Sequence, residues 1–158
     1  MSQHRLSAQS LSGTANFIAL GAGLGLAPKA PGTFGTLLGI PLLFLMPGNL
    51  MLYLVVVALL FVLGVWCCDV CAKNLGVHDH PGIVWDEVVG YLITMIAVPK
   101  TFLWVVVGFI VFRFFDILKP WPIGWVDKHV GGGLGIMLDD VLAAVFSLIV
   151  IQIMLYFI

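Results

Sequence analysis

The fold is decided by residues 112–140, which read FRFFDILKPWPIGWVDKHVGGGLGIMLDD. Here an apolar helix runs into a short charged connector, and a glycine run then opens a second apolar helix. Seven of the fifteen Lys, Arg, Asp and Glu residues lie in or beside this connector: Arg113, Asp116, Lys119, Asp127, Lys128, Asp139 and Asp140. Charges at the ends of hydrophobic segments are costly, so their concentration here indicates a functional site.

The composition is that of a membrane protein. Only 9 % of the 158 residues are charged and the mean hydropathy is +1.14, whereas about a quarter of the residues of a soluble domain are charged. Several apolar stretches approach or exceed the roughly 20 residues that a helix needs to cross a bilayer. The predicted fold class is therefore an all-α polytopic membrane protein. Residues 1–158 are predicted to form one domain, because too little water-facing sequence remains for a second.

Apolar runs separated by proline, glycine and charged residues predict about five hydrophobic helices after an N-terminal interfacial segment. The interfacial segment is Leu11 to Leu26, which follows the polar residues Met1 to Ser12. The five helices are predicted at Thr36–Met46, Leu50–Cys71, Ile83–Val98, Thr101–Lys119 and Leu134–Ile158. Because the first of them is shorter than a full crossing, a crossing helix and a re-entrant helix both stay open for it.

The basic residues predict the orientation, because Lys and Arg gather in cytoplasmic loops. If the N-terminus is cytoplasmic, most basic residues fall inside, and the C-terminus lies outside. The inside residues are then Arg5, Lys29, Lys73, Lys119 and Lys128, with Arg113 just above them, and the outside residue is Lys100. The acids at positions 86, 87, 116, 127, 139 and 140 then share the cytoplasmic end with Arg113 and Lys119. We therefore expect a site that faces the cytoplasm.

Two pairs of neighbouring carboxylates begin predicted helices, namely Asp86-Glu87 and Asp139-Asp140. The helix macrodipole stabilises acids at a helix start by about 0.3–1 kcal/mol, so capping or interhelical ion pairing is one interpretation. At membrane depth, however, two such doublets on one face repel each other unless a cation lies between them. Oxygen ligands without nitrogen or sulfur partners suit Mg²⁺. The second interpretation therefore predicts a magnesium site.

The basic side chains near these acids are candidates for binding a phosphate. Arg113 offers a fork of donors and Lys119 a point charge, with Lys29 as a helper. Other roles are open for each of them: an ion pair of Arg113 with Asp116 three residues on, and positive-inside signals for the lysines. Together with the acids, they favour a site for phosphate and Mg²⁺.

Residues 30–36, APGTFGT, open the first predicted hydrophobic helix. Thr33 or Thr36 is able to cap this helix. Free backbone N–H groups at a helix start, together with a threonine hydroxyl, are also able to hold an anion, which would make both threonines substrate-binding residues.

Four blocks of this sequence resemble, in order, the motifs of the bacterial phosphatidylglycerophosphatase A family. The blocks are Ala30–Thr36, Trp85–Gly90, Arg113–Ile123 and Gly132–Asp140. The resemblance covers nearly the whole chain and implies a Mg²⁺-dependent phosphatase of the bacterial inner membrane. Its substrate would be phosphatidylglycerophosphate, hydrolysed to phosphatidylglycerol and phosphate in phospholipid synthesis.

The acids are expected to divide the catalytic work. We expect Asp86, Glu87, Asp139 and Asp140 to supply the Mg²⁺ ligands or the groups bonded to those ligands. Asp116 either joins them or orients Arg113. Because adjacent helical residues diverge by about 100°, only one acid of each doublet is expected to face the metal directly. Metal-assisted attack by water is the favoured mechanism, and a carboxylate nucleophile stays open.

Two functions of other classes compete with this hypothesis. Intramembrane acids also line the pathways of small cation transporters and channels. Against a transporter, the predicted acids cluster at one end and none lies between about Val88 and Ile110. A non-catalytic membrane subunit is the third hypothesis, and it leaves the convergence of the charges unexplained.

Overall fold

The computed structural model describes residues 6–157, and all regular structure within them is helical. Its α-helices are α1 (Thr14–Ala19), α2 (Pro31–Leu45), α3 (Leu50–Leu75), α4 (Trp85–Thr94), α5 (Phe102–Leu118), α6 (Ile123–His129) and α7 (Gly132–Tyr156). Two 3₁₀ helices, Ala8–Leu11 and Gly21–Leu26, flank α1. The predicted all-α class is confirmed for this part of the chain. Two predictions lie outside the described residues. They are the cytoplasmic position of Arg5 and the end of the last helix at Ile158.

The five predicted hydrophobic helices correspond to α2, α3, α4, α5 and α7, but their lengths differ from the prediction. Within residues 6–157, only α3 and α7 are long and apolar enough to cross a bilayer. α4 has ten residues instead of the predicted sixteen or so, because the chain turns after Thr94 and Ala97 takes a left-handed conformation (φ 56°). The structure therefore supports two candidate crossing helices, and the other three predicted helices are shorter.

The start of α2 corrects another prediction. The helix begins at Pro31 and not near Thr36, and a proline is well suited to the first helical position because that N–H needs no partner there. Thr33 and Thr36 thus lie inside the helix, and the prediction that one of them caps it is wrong. The buried Thr36 hydroxyl donates to the Gly32 carbonyl at 3.0 Å.

The charged connector between α5 and α7 contains the short helix α6. Lys119 ends α5 in a left-handed conformation (φ 43°), and α6 follows after residues 120–122. Trp121 and Trp125 are exposed on this segment, as interfacial tryptophans commonly are.

The charged residues lie at one end of the helix bundle. Gly133, at the start of α7, donates its N–H to Asp69 Oδ1 near the end of α3 at 3.2 Å, so these helices are antiparallel. The starts of α2 and α4 meet the end of α5, where Gly32, Glu87 and Arg113 are in contact. Three helices therefore begin where two others end, and the predicted shared end of the charges is confirmed.

The opposite end of the bundle carries little charge. Lys100 lies there and donates to the Met46 carbonyl at 2.8 Å, just beyond α2. Gln152, near the end of α7, donates to the Ile96 carbonyl at 3.2 Å. Of the basic residues that the structure describes, only Lys100 lies at this opposite end.

Close packing of α4 against its neighbours brings the acids together. Gly90 is central to it, because a methyl group at this position would lie 2.6 Å from the Phe112 ring of α5 and 3.3 Å from the Asp140 carbonyl oxygen of α7. Only glycine permits so close an approach. α4 is thus held between α5 and α7 at the level of Asp140.

Candidate active site

Three buried or nearly buried carboxylates form the centre of the site. Asp86 and Glu87 lie in the first turn of α4, and Asp140 lies in the third turn of α7. One oxygen from each side chain falls within 4.8 Å of the other two, which is the spacing of ligands around a single cation. We call this set the acid trio. It contains three of the four acids for which a metal-binding role was predicted.

Several oxygens of the acid trio have no hydrogen-bond partner among the described residues. They are Asp86 Oδ1, Glu87 Oε2 and Asp140 Oδ2, and each is inaccessible to water. A buried charged group without a partner is strongly destabilising. A hard cation would satisfy all three, and a set of carboxylate oxygens without nitrogen or sulfur suits Mg²⁺ best. The residues present therefore fit the predicted metal.

Arg113 lies beside the acid trio, near the end of α5. Its Nη1 is 3.7 Å from Glu87 Oε1 and also contacts the carboxylate of Asp116, three residues further along the helix. The simple ion pair expected from the sequence is thus present, and it holds the guanidinium against Glu87. Nε of Arg113 is buried and has no partner within residues 6–157, so a donor is free for a further acceptor.

Asp139 belongs to a second charged group, which does not overlap with the acid trio. Lys119 Nζ lies 2.6 Å from Asp139 Oδ2 and 2.8 Å from Asp127 Oδ1. Burial alone would lower the pKa of the Lys119 ammonium, but the carboxylates of Asp139 and Asp127 outweigh it and raise this pKa above its ordinary value. Asp139 and Asp140 diverge because they are adjacent on one helix. The prediction that only one acid of each doublet faces the metal site therefore fits Asp139-Asp140, where Asp140 alone joins the trio. It does not fit Asp86-Glu87, because both of these acids belong to the trio.

The remaining predicted substrate-binding residues lie around the start of α2. Lys29 is exposed in the loop before α2 and forms no ion pair with the other described residues. Thr33 is half-buried in the first turn of the helix, and the Thr36 hydroxyl is already donated to Gly32. The structure thus brings α2 to the site but does not bring Lys29 to the acid trio.

Gly32 is the residue of α2 that comes closest to the acid trio, and the sequence did not single it out. A methyl group on Gly32 would lie 3.1 Å from both Glu87 Cδ and Arg113 Nη1, and it would overlap Glu87 Oε1. The signal available in the motif APGTFGT is its two glycines, Gly32 and Gly35, on either side of Thr33 and Phe34. Gly32 lets the first turn of α2 cover the Glu87–Arg113 pair.

The site as a whole has the groups that phosphoryl transfer requires. The acid trio offers oxygen ligands for a divalent cation, and Arg113 lies beside it. Asp139, which binds Lys119, is adjacent in sequence to Asp140 of the trio. All of these groups lie at one end of an apolar helical bundle. Phosphoryl transfer depends on positioning and on neutralising charge with a metal and cations. These features define the class of membrane-associated phosphatases that act on lipids.

Comparison with known proteins identifies the family within this class. The model of the phosphatidylglycerophosphatase A family matches residues 17–155. The phosphatidylglycerophosphatase A of Escherichia coli K12 is 48 % identical over 136 residues, covering 84 % of this chain and 78 % of that protein. The Haemophilus influenzae protein of the same name is 45 % identical, covering 90 % of this chain and 89 % of that one. The chain belongs to the phosphatidylglycerophosphatase A family.

A third relative carries a different name. The putative phosphatidylinositol-3-phosphatase of Bacteroides thetaiotaomicron is 39 % identical over 145 residues, covering 86 % of this chain and 90 % of that protein. No solved structure shows significant similarity to the chain.

Proposed function

We propose that the chain hydrolyses the terminal phosphomonoester of phosphatidylglycerophosphate. Water supplies the oxygen that bonds to phosphorus, the ester P–O bond breaks, and phosphatidylglycerol and inorganic phosphate are released. The names of the Escherichia coli and Haemophilus influenzae relatives support this substrate. The observation that carries the proposal is the acid trio beside Arg113, which combines a cation site with a phosphate-binding donor.

Mg²⁺ is the proposed cofactor, held by Asp86, Glu87 and Asp140. When bound, it would neutralise charge on the phosphoryl oxygens and acidify a water molecule. The partnerless oxygens of the trio support this assignment. Asp139 is proposed to act on the site indirectly. It accepts a hydrogen bond from Lys119, and this bond holds α7 in place beside the neighbouring metal ligand Asp140.

The cations are proposed to bind the substrate phosphate. Arg113 suits the phosphomonoester because its fork of donors matches two phosphate oxygens, and Asp116 orients the guanidinium. Lys119 is proposed to approach the same phosphate from the Asp139 side. Lys29 and Thr33 are proposed as peripheral contacts for the headgroup, since both lie near the start of α2, which covers the Glu87–Arg113 pair.

The finer topology is also a proposal. We propose that α2, α3, α4, α5 and α7 are all embedded in the bacterial inner membrane, with the N-terminus and the site on the cytoplasmic side. The positive-inside rule supports this, because five of the six Lys and Arg residues in 6–157 lie at the end that carries the acids.

Phosphate release by the purified protein tests the function. Detergent-solubilised protein is expected to release phosphate from phosphatidylglycerophosphate with Mg²⁺ and to stop when the metal is chelated. Asp86→Asn is the comparison variant and should release phosphate more slowly than the wild type at the same Mg²⁺ concentration. A protein that releases no phosphate under either condition would contradict the proposal. Phosphatidylinositol 3-phosphate should be assayed in parallel, because the Bacteroides thetaiotaomicron relative is named for it. Liposome flux assays would reveal the competing transporter function.

A further inference from the structure

A polar cavity of about 290 Å³ opens next to the site, and no step proposed above uses it. It lies between the loop that follows α3 and the segment that joins α6 to α7. Its lining residues are His78, Asp79, Asp127, Val130, Gly135 and Ile136. His78 and Asp79 come from the loop after α3. Gly131 belongs to the segment between α6 and α7, and a methyl group on it would lie 3.2 Å from His78 Nε2. The two segments therefore face each other closely across the cavity.

The cavity lies one helical turn from the acids of α7. Gly135 and Ile136 precede Asp139 and Asp140 by four residues, which corresponds to about 6 Å along the helix axis. Asp127 in the lining shares Lys119 with Asp139. A molecule whose phosphate lies at the acid trio is thus able to place its neighbouring atoms in the cavity.

The lining favours hydroxyl groups over other ligands. Two carboxylates repel a phosphate, so the cavity does not suit a second phosphate group. A metal is also disfavoured, because within the described residues only Asp86, Glu87 and Asp140 converge closely enough to ligate one ion. The carboxylate of Asp79 forms no hydrogen bond or ion pair with the other described residues, so both its oxygens are available as acceptors. An uncharged group that donates hydrogen bonds, such as an alcohol, fits these acceptors.

We propose that this cavity receives the hydroxyl-bearing polyol part of the lipid headgroup, with Asp79 accepting a hydrogen bond from its hydroxyl. The inference rests on the proposed function and adds to it a source of headgroup selectivity. In phosphatidylglycerophosphate, the glycerol between the two phosphates carries one free hydroxyl, a few bonds from the phosphomonoester. The cavity then selects lipids that have a hydroxyl at this position, and Asp79 is a specificity-determining residue.

The test compares two lipids that differ in this hydroxyl alone. One is phosphatidylglycerophosphate, and the other carries propane-1,3-diol in place of the headgroup glycerol. For the wild-type protein with Mg²⁺, kcat/KM is expected to be at least about tenfold higher for the hydroxylated lipid, as one hydrogen bond to a charged group implies. Asp79→Ala should lower kcat/KM for this lipid to the level of the analogue and leave the analogue unchanged. Asp79→Asn, which keeps an acceptor oxygen, should fall between them.

Asp69→Asn is the matched control. Asp69 lies at the same end of the bundle, outside the cavity lining, and Asn retains the acceptor for the Gly133 N–H. The preference for the hydroxylated lipid should survive this substitution. Equal turnover of both lipids by the wild type would overturn the inference, as would an Asp79→Ala variant that slows both lipids equally.

A binding measurement makes the same comparison without turnover. Wild-type protein in nanodiscs is expected to bind phosphatidylglycerol more tightly than phosphatidyl-1,3-propanediol, which lacks only the middle hydroxyl, and Asp79→Ala should remove the difference. If the wild type hydrolyses neither phosphorylated lipid, the proposed function fails, while the binding comparison still decides the role of the cavity. Equal binding of the two lipids by the wild type would refute that role.

Discussion

Replacing Gly32 by alanine should disable the site without unfolding the protein. The new methyl group would overlap Glu87 Oε1 and lie 3.1 Å from Glu87 Cδ and from Arg113 Nη1. Carbon and its neighbours pack best at about 3.5–4.0 Å, so the guanidinium must move by roughly 0.5–1 Å, and the overlapping Glu87 carboxylate oxygen must move further. The charge, the hydrogen-bonding groups and the length of α2 all stay as they were.

The expected effect on stability is small, in contrast to the effect on activity. Glycine within a helix is less favourable than alanine by about 0.5–1 kcal/mol, and this gain offsets the cost of moving a flexible side chain. The free energy of unfolding should therefore change by less than about 1 kcal/mol. Misplacing a catalytic group by about 1 Å is able to cost on the order of 100-fold in rate, so we expect Gly32→Ala to lose about 10- to 100-fold in kcat.

Phosphate release and thermal unfolding of the purified variant together provide the assay. Gly48→Ala is the control, because no atom lies within 4 Å of a methyl group at that position, and it should match the wild type in both measurements. If Gly32→Ala keeps more than half of the wild-type turnover, Glu87 and Arg113 are not positioned by α2. A large fall in melting temperature would equally refute the claim that the substitution acts on the site alone.

Three further predictions concern the charges. Arg113→Lys keeps the charge but loses the fork of donors, so turnover should fall by at least about tenfold while the protein stays folded; near-normal turnover would reduce Arg113 to a structural partner. Asp86→Asn and Asp140→Asn should each raise the Mg²⁺ concentration needed for half-maximal activity, measured by metal titration, and wild-type curves for both would place the metal elsewhere. Lys119→Met leaves Asp139 buried without its cation, so unfolding in denaturant should show a loss of about 1–3 kcal/mol, partly restored by adding Asp139→Asn. An unchanged unfolding curve for Lys119→Met would show that the pair contributes nothing to stability.

The convergence of the acids could be read from the sequence because it depends on local order along the chain. Hydrophobic segments that alternate in direction bring the starts of α4 and α7 to one end, which places Asp86 and Asp140 together. The 100° step between adjacent helical residues likewise predicts that Asp139 and Asp140 part. The same rule does not separate Asp86 from Glu87. Helix periodicity fixes only the direction of each Cβ, and the longer Glu87 side chain carries its carboxylate back towards that of Asp86.

Other features depend on contacts that one sequence does not reveal. Hydropathy places the apolar run of α4 correctly but not its end, because Val98 is as apolar as Val88 and the turn at Ala97 is a matter of backbone conformation. The importance of Gly32 similarly comes from Glu87, more than fifty residues away. The cavity beside the site could not be predicted because its lining comes from the loop after α3, from α6 and from the start of α7, and only the fold brings these segments together.

In the proposed topology, the unequal helix lengths have a consequence for the surrounding bilayer. At 1.5 Å per residue, α3 is about 39 Å long, whereas α2 and α5 are about 22 and 26 Å long. α2 and α5 contact each other and expose Phe34, Leu37 and Ile110. The apolar perimeter is thus shorter on this flank than the roughly 30 Å of a bilayer core, and a bilayer responds to such a mismatch by thinning. In the proposed topology, lipid headgroups would then lie closer to Arg113 on this side, and the substrate's phosphate would approach the level of the acids without the lipid leaving the bilayer.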